Sequence, residues 1–366
     1  MTGEREHEFG SGDPYTVGVE EELFLCDPVT GSQVNVSGAV LERVDPAGGG
    51  RVERELHACQ IELISPVAHT VGEAVAALSA LREDVLETGA GLIGTGTHPR
   101  AAEGDAEITD KQRYERIRDL LGDAVATPVG GLHIHVGMPD PETAIRAFNG
   151  LRRHLPLLQA LGANSPFRHG RDTGLASARE VSVRGWPRSG VPRAMVDYED
   201  FEAATDMLVR AADVPDYTWF WWKLRPHPRL GTVEVRSLDA QSTLEDVSTL
   251  VALTHCLARD AATAEPRPDP PTEILEEGMF RAARFGTRAR LPDENGHLHP
   301  VSELLASALA TAREHAADLG CEAELGGLAG LIERGGGAGR QRAVAEVAGI
   351  DSLLRELLRV TAPGSR

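Results

Sequence analysis

Tyr15–Leu25 reads YTVGVEEELFL, and its alternation decides how the chain begins. Val17, Val19, Glu21, Leu23 and Leu25 fall on one face and Glu20 and Glu22 on the other, the period of two of a strand with one apolar side. The signature recurs. Val129–Met138 (VGGLHIHVGM) sets Leu132, Ile134 and Val136 opposite His133 and His135, and Leu230–Leu238 (LGTVEVRSL) gathers Thr232, Glu234 and Arg236 on one face. Arg51–Val67 is a further extended region, ended by Ser65-Pro66 and carrying Glu62 with Glu55 nearby. Short strands are also expected at Leu92–Thr97 and, rich in aromatics, at Thr218–Leu224.

Between these segments the period lengthens. His69–Gly91, Asp110–Leu121, Phe201–Ala212 and Leu244–Ala264 read as helices. Asp140-Pro141 opens another, cap then first-turn proline, with Pro156 expected to kink it. Strands joined by helices and hairpins predict an α+β fold: an antiparallel-rich sheet with helices packed on it. Pro266–Pro271 (PRPDPP) is the clearest linker, and from about residue 272 the pattern is helical, broken at Gly335–Gly339. Residues 1–13 read as a disordered lead-in and 14–366 as one domain.

Of the 366 residues, 37 are Lys or Arg and 56 Asp or Glu, a formal charge of −19. That balance argues against nucleic-acid binding, which needs a basic patch. The lysines are Lys111 and Lys223, and neither follows a glycine, so a Walker-type phosphate loop is excluded. Cys26, Cys59, Cys256 and Cys321 form no C-x-x-C pair, which reads as reduced, mostly buried thiols. No run approaches the ~18 apolar residues of a membrane span, and a soluble, cytoplasmic protein is expected. The helical surface of the C-terminal third is available for a homodimer.

Taken singly, each polar strand face has an ordinary structural explanation: a solvated carboxylate face, surface histidines, a Glu-x-Arg ion pair. On one sheet they would bring five carboxylates and two imidazoles together. Two carboxylates ~5 Å apart repel by about 3 kcal/mol at an effective dielectric near 20, so such a cluster calls for divalent cations. Carboxylates with one contributing imidazole and no thiolate favour Mg²⁺ or Mn²⁺ over zinc. Glu55 and Glu62 are an odd number of residues apart. On one straight strand they face opposite ways, and both reach the site only through a bend, near His57–Cys59. His133-x-His135 lacks the following glutamate of a cupin site, and His-Glu-x-x-His is absent. Trp219–Trp222 reads as core or as a platform for stacking bases.

Six ordered motifs then carry a resemblance: Gly18–Leu23 (GVEEEL), Glu62–Val67 (ELISPV), Gly96–Pro99 (GTHP), Gly131–Gly137 (GLHIHVG), Ala163–Phe167 (ANSPF) and Gly231–Asp239 (GTVEVRSLD). Together they resemble the bacterial carboxylate–amine ligases known as glutamate–cysteine ligase type 2, over roughly residues 14–360. The resemblance implies a glutamine-synthetase-like catalytic fold, a curved antiparallel sheet holding ATP and Mg²⁺. It implies Glu20, Glu22, Glu55, Glu62, His133 and Glu234 as metal ligands, with His133 and Glu234 also catalytic. It implies Arg236 on the transferred phosphoryl group, His135 beside the phosphates and Arg179 at nucleotide or substrate. Glutamate–cysteine ligase chemistry through an acyl phosphate follows from it, with small-molecule partners, amino acids and ATP, and neither nucleic acid nor membrane. An ATP-independent metal hydrolase built on the same Glu/His cluster is the alternative, and a regulator that keeps the fold without turnover is a third reading.

Overall fold

The computed structural model describes residues 7–46, 48–265 and 267–364. Its strands, in chain order, are β1 (Val17–Cys26), β2 (Arg51–Arg54), β3 (Gln60–Ile64), β4 (Gly91–Ile93), β5 (Gly131–Gly137), β6 (Phe167–Arg168), β7 (Arg171–Asp172), β8 (Leu224–His227), β9 (Thr232–Asp239), β10 (Arg290–Pro292) and β11 (Leu298–Pro300). Seven of the described strands form one sheet in the order β2-β3-β1-β5-β9-β8, with β4 beside the end of β1, and every pairing is antiparallel. The α+β architecture with an antiparallel sheet is as the alternation predicts.

The apolar face of the sheet meets the helices. Val17, Val19, Leu23, Ile61, Leu63, Leu132, Ile134, Val136, Val233 and Val235 share one core with residues from helices Val71–Glu87, Pro141–Arg152 and Leu244–Thr263. In the last of these Val247, Leu250, Val251, Leu253 and Leu257 are all fully buried, and each such side chain contributes roughly 1.5–3 kcal/mol. Helix starts follow their caps. The Thr70 hydroxyl accepts from the Glu73 N–H while the Glu73 carboxylate accepts from the Thr70 N–H, and the Asp140 carboxylate accepts from the Thr143 N–H at 2.7 Å with proline in the first turn.

Glu21, alone on the apolar face of β1, is fully buried against Arg82. The Arg82 Nη2 and Nε donate to its two oxygens at 2.6 and 3.0 Å. The remaining donors go to the carbonyls of Gln241, Ser242 and Thr361, so all five guanidinium N–H groups are used. This pair fixes the strand between Glu20 and Glu22 to the chain after β9 and to the end of the C-terminal helix. Nothing in the local sequence pattern singles out Arg82.

A bulge sits where β5 meets β9. Leu132 lies opposite Leu238 but Ile134 lies opposite Val235, so Arg236 and Ser237 together span His133. Straight alternation would put Leu238 on the face of Glu234; the extra residue turns it into the core, fully buried.

Several expectations change. Arg51–Val67 is two strands, β2 and β3, joined by a connection. Pro156 does more than kink its helix: the helix ends at Arg152 and a second, Leu155–Gly162, starts with the proline in its first turn. Tyr217–Trp219 is a 3₁₀ turn, and strand pairing begins only at Leu224. The C-terminal third contains the hairpin β10–β11. Gly335 is left-handed at φ 75°, but helix resumes at Gly336, and a second departure falls at Gly349. Residues 1–6 of the expected lead-in lie outside the described residues, whereas Phe9 is buried in the core and Gly10 donates to the Met138 carbonyl at 3.0 Å. The four cysteines are free and buried. Among the described residues no helix is long and apolar enough to cross a membrane.

Candidate active site

The strand registers build the polar face as three rungs. Glu53, Glu62 and Glu22 lie in line across β2, β3 and β1. Glu20 and His133 face each other across β1 and β5, next to the bulge that carries Arg236. Gly18, His135, Glu234 and Arg225 run across β1, β5, β9 and β8. Residues opposite each other in an antiparallel sheet have Cβ atoms ~5 Å apart, so side chains remote in sequence meet.

The contacts are close. His133 Nδ1 is 3.2 Å from Glu20 and its Nε2 3.6 Å from Glu22; His135 Nε2 is 3.4 Å from Glu20 and 3.7 Å from Glu234. Glu234 is paired on both oxygens, to Arg225 and to Arg236. The guanidinium of Arg236 contacts protein through Nη1, which also lies 3.5 Å from His133 Nδ1. The two possible roles of Glu234-x-Arg236 are therefore not exclusive: the ion pair exists, and Arg236 also lines the cavity described below.

Charge divides the carboxylates. For Glu20 and Glu234 burial raises the pKa, but their neighbours outweigh it and hold both well below the usual carboxylate range: the charge of His135 and the hydrogen bond of His133 for Glu20, the charges of Arg225, Arg236 and His135 for Glu234. Burial, with repulsion from Glu22 and Glu20, lifts Glu55 to about 7. Burial together with Glu20, Glu55 and Glu22 lifts Glu62 well above the ordinary value. Burial and Arg236 push His133 down; His135 is raised because Glu20 and Glu234 outweigh its burial.

Such an arrangement fits hard divalent cations. Glu20, His133 and Glu234 offer ligand atoms all within 4.8 Å of one another, and so do Glu22, Glu62 and His133. Nε2 of His133 and of His135 are buried without a hydrogen-bond partner. Oxygen donors joined by one shared imidazole suit Mg²⁺ or Mn²⁺. Glu55 belongs to neither group. It lies in the β2–β3 connection, its own Oε2 accepting the Leu56 N–H at 2.6 Å, and it lines the same cavity. The odd spacing is thus overcome by a chain reversal.

Two cavities meet at this cluster. One, of about 270 Å³, is lined by Glu20, Glu22, Glu55, Glu62, His133, Arg236, Arg179, Lys223, Arg225 and the aromatic rings of Tyr114, Trp186 and Trp221. The other, of about 260 Å³, is lined by Glu20 and His135, by Gly10, Gly12, Gly18, Gly137 and Gly231, and by Val19, Ile64, Val67, Met138 and Leu230. Arg179 sits in the first with Nε and Nη1 buried and unpartnered. It lies in the first turn of the helix Ala178–Val183, whose cap Ser177 donates to Asp239 at 2.8 Å while Ser165 donates to the same carboxylate at 2.6 Å. The Ala163–Phe167 motif thus acts through Asp239 on the placement of Arg179. The Gly96–Pro99 motif is a staple: His98 bonds the Gly31 carbonyl and accepts from Arg100 and Ala101.

Gly131 makes the convergence geometrically feasible. A Cβ there would lie 2.6 Å from Arg179 Nη2 and 2.9 Å from both Glu22 Oε2 and His133 Nε2. Gly131→Ala is therefore expected to lower kcat/KM on the order of 10²-fold by displacing three site groups, with the thermal midpoint within a few degrees of wild type. Unchanged kcat/KM would show that their convergence is unimportant.

All the residues singled out from sequence lie on this face or its cavities. Arg225 and Trp186 were not foreseen as site groups, because the alternation of Leu224–His227 is too short to read and Trp186 lies in a loop; Trp221 was foreseen only within the segment Trp219–Trp222. Lys223, conspicuous as one of two lysines, was the available signal; it donates to buried Glu180 at 2.5 Å. Of the aromatic segment, Trp219 and Phe220 are core and Trp221 borders the cavity.

Residues 16–354 match the profile of glutamate-cysteine ligase family 2. The chain belongs to that family. A family relative from Rubrobacter xylanophilus, provisionally named glutamate–cysteine ligase 2-3, is 41% identical over 373 residues, spanning 98% of this chain and 100% of the relative. The glutamate–cysteine ligase of Haloferax volcanii is 33% identical over 367 residues, spanning 96% and 99%. Among solved structures, the Francisella tularensis glutamate–cysteine ligase in complex with AMP superposes with a TM-score of 0.73 at 12% identity, covering 96% of this chain and 89% of that one. Family membership marks the protein as a ligase of the glutamate–cysteine ligase type, and the Francisella structure shares its fold.

Proposed function

We propose that the protein is an ATP- and Mg²⁺-dependent carboxylate–amine ligase that activates a carboxylate as an acyl phosphate and transfers the acyl group to an amine, with glutamate and cysteine as a usable pair. The observation that carries this reading is the cluster of Glu20, Glu22, Glu62, His133 and Glu234, with Arg236, set between two cavities. The glycine-lined, apolar cavity suits a nucleotide. The charged one suits amino acids, with the unpartnered donors of Arg179 available to a carboxylate.

In this reading a carboxylate oxygen attacks the γ-phosphoryl of ATP, ADP leaves, and the amine then displaces phosphate from the acyl carbon. Divalent cations held by Glu20, His133 and Glu234 and by Glu22, Glu62 and His133 would neutralise phosphate charge. Arg236 presents a planar fork to the equatorial phosphoryl oxygens, held in place by Glu234. Arg225 holds the other oxygen of Glu234, and with Arg236 and His135 it keeps that carboxylate ionised.

The test is ADP release by the purified protein with Mg²⁺ and ATP across a panel of amino-acid pairs. ADP and phosphate are expected in step with amide product. Steady turnover without nucleotide would sink the ligase reading and promote a metal-dependent hydrolase on the same cluster.

A further inference from the structure

The second cavity has an outer wall that the sequence pattern gave no reason to expect. Glu8, Gly10, Ser11, Gly12 and Asp13 line it, opposite the start of β1 and the end of β3. This strap is anchored. The Glu8 N–H donates to the Pro228 carbonyl at 2.8 Å, Gly10 bonds Met138, and the Ser11 hydroxyl turns back to the Glu8 carbonyl at 2.7 Å. Phe9 is buried, its ring edge-on to Tyr198 at 5.8 Å. Two glycines allow the fit: Gly10 at φ 79° lies so close to Pro139 that a Cβ would come within 2.5 Å of the carbonyl oxygen, and a Cβ on Gly231 would strike the Glu8 carbonyl.

Two further features point to what the cavity takes. Val67 and Leu230 line it yet are 78% and 54% exposed, leaving aliphatic surface on which a planar ring can pack. Glu20 and His135 line the same cavity and belong to the carboxylate–imidazole cluster, so a ligand there can carry its phosphates toward that cluster. We infer that residues 8–13 are part of the nucleotide site, closing its outer side over the base and ribose while the phosphates run inward to Glu20 and His135. The inference rests on the ligase reading and adds that the N-terminal strap supplies binding surface.

Ser11→Cys in the full chain gives the decisive probe, because all four native cysteines are buried. Saturating Mg²⁺ with a non-hydrolysable ATP analogue is expected to slow alkylation of that thiol about tenfold or more, and glutamate alone is not. Deleting residues 1–13 is expected to raise the Kd for the analogue about tenfold or more. Gly18→Leu serves as the control for the slot. A Cβ at Gly18 lies 3.7 Å from the His135 Cβ, an ordinary contact, so a side chain can start there and its remaining atoms occupy the slot floor; nucleotide binding should be lost, with the thermal midpoint checking that the variant folds.

If Gly18→Leu abolishes binding but Ser11→Cys reacts at its unliganded rate, the strap is overturned and the ligase reading stands. If Gly18→Leu binds the analogue as wild type does, or the full chain binds none, the slot assignment falls and the strap with it. Should the deletion fail to fold, the alkylation result on the intact chain decides.

Discussion

Arg236→Lys is expected to lower kcat by about 10²-fold or more while ATP affinity changes only a few-fold. The substitution keeps the positive charge, so what it removes is the planar fork. Were Arg236 only the partner of Glu234, lysine would suffice. Glu234 is buried and bound by Arg225 on its other oxygen, and a lysine at 236 keeps a second positive charge beside it. Stability should therefore change little, and the thermal midpoint checks that. A preorganised donor pair whose interaction grows as phosphoryl charge develops acts on kcat rather than on ground-state binding. A variant retaining kcat within a few-fold of wild type would overturn the phosphoryl role.

Glu62→Gln should likewise cost about 100-fold or more in turnover at fixed Mg²⁺, but it should stabilise the metal-free protein. Burial and three neighbouring carboxylates hold the Glu62 pKa well above its ordinary value. A raised folded-state pKa contributes stability that is complete below the ordinary carboxylate pKa and is lost as pH rises through the folded value. Glutamine does not titrate. The thermal midpoint of Glu62→Gln minus that of wild type should therefore grow from pH 5 to pH 8 without divalent cation, and Mg²⁺ should shrink it by stabilising wild type more. A flat difference, or near-wild-type ADP release, would remove Glu62 from the ligand set. Glu234→Gln is different in kind. It leaves the buried Arg225 without its carboxylate, a loss on the order of 3–5 kcal/mol, so that variant should be visibly destabilised.

How much of the site was legible follows from the same residues. Alternation is a property of each strand alone, and it correctly put Glu20, Glu22, His133, His135, Glu234 and Arg236 on polar faces. Parity alone does not carry across breaks in a strand: Glu55 lies beyond the end of β2, in the bend that its odd spacing from Glu62 requires, and the bulge returns Leu238 to the core. Residues 1–13 read as a disordered lead-in from sequence because the segment is polar and Gly-containing, and its apolar anchor Phe9 finds partners only elsewhere in the chain.

The amino-acid sequence by itself determined the α+β class, the absence of a phosphate loop, the polar side of each strand and the ordered motifs that mark the family. All of these depend on residues adjacent in the chain. The tertiary structure alone decided which residues share a rung. His135 meets Glu234, and Arg225 meets the same carboxylate, because strand register is fixed by turns and by helices packed behind the sheet. It also decided that Arg82 neutralises Glu21, and that Gly131 leaves room for Arg179, Glu22 and His133 to converge. Most of those partners are separated by long stretches of chain, and no local periodicity encodes a distance between them.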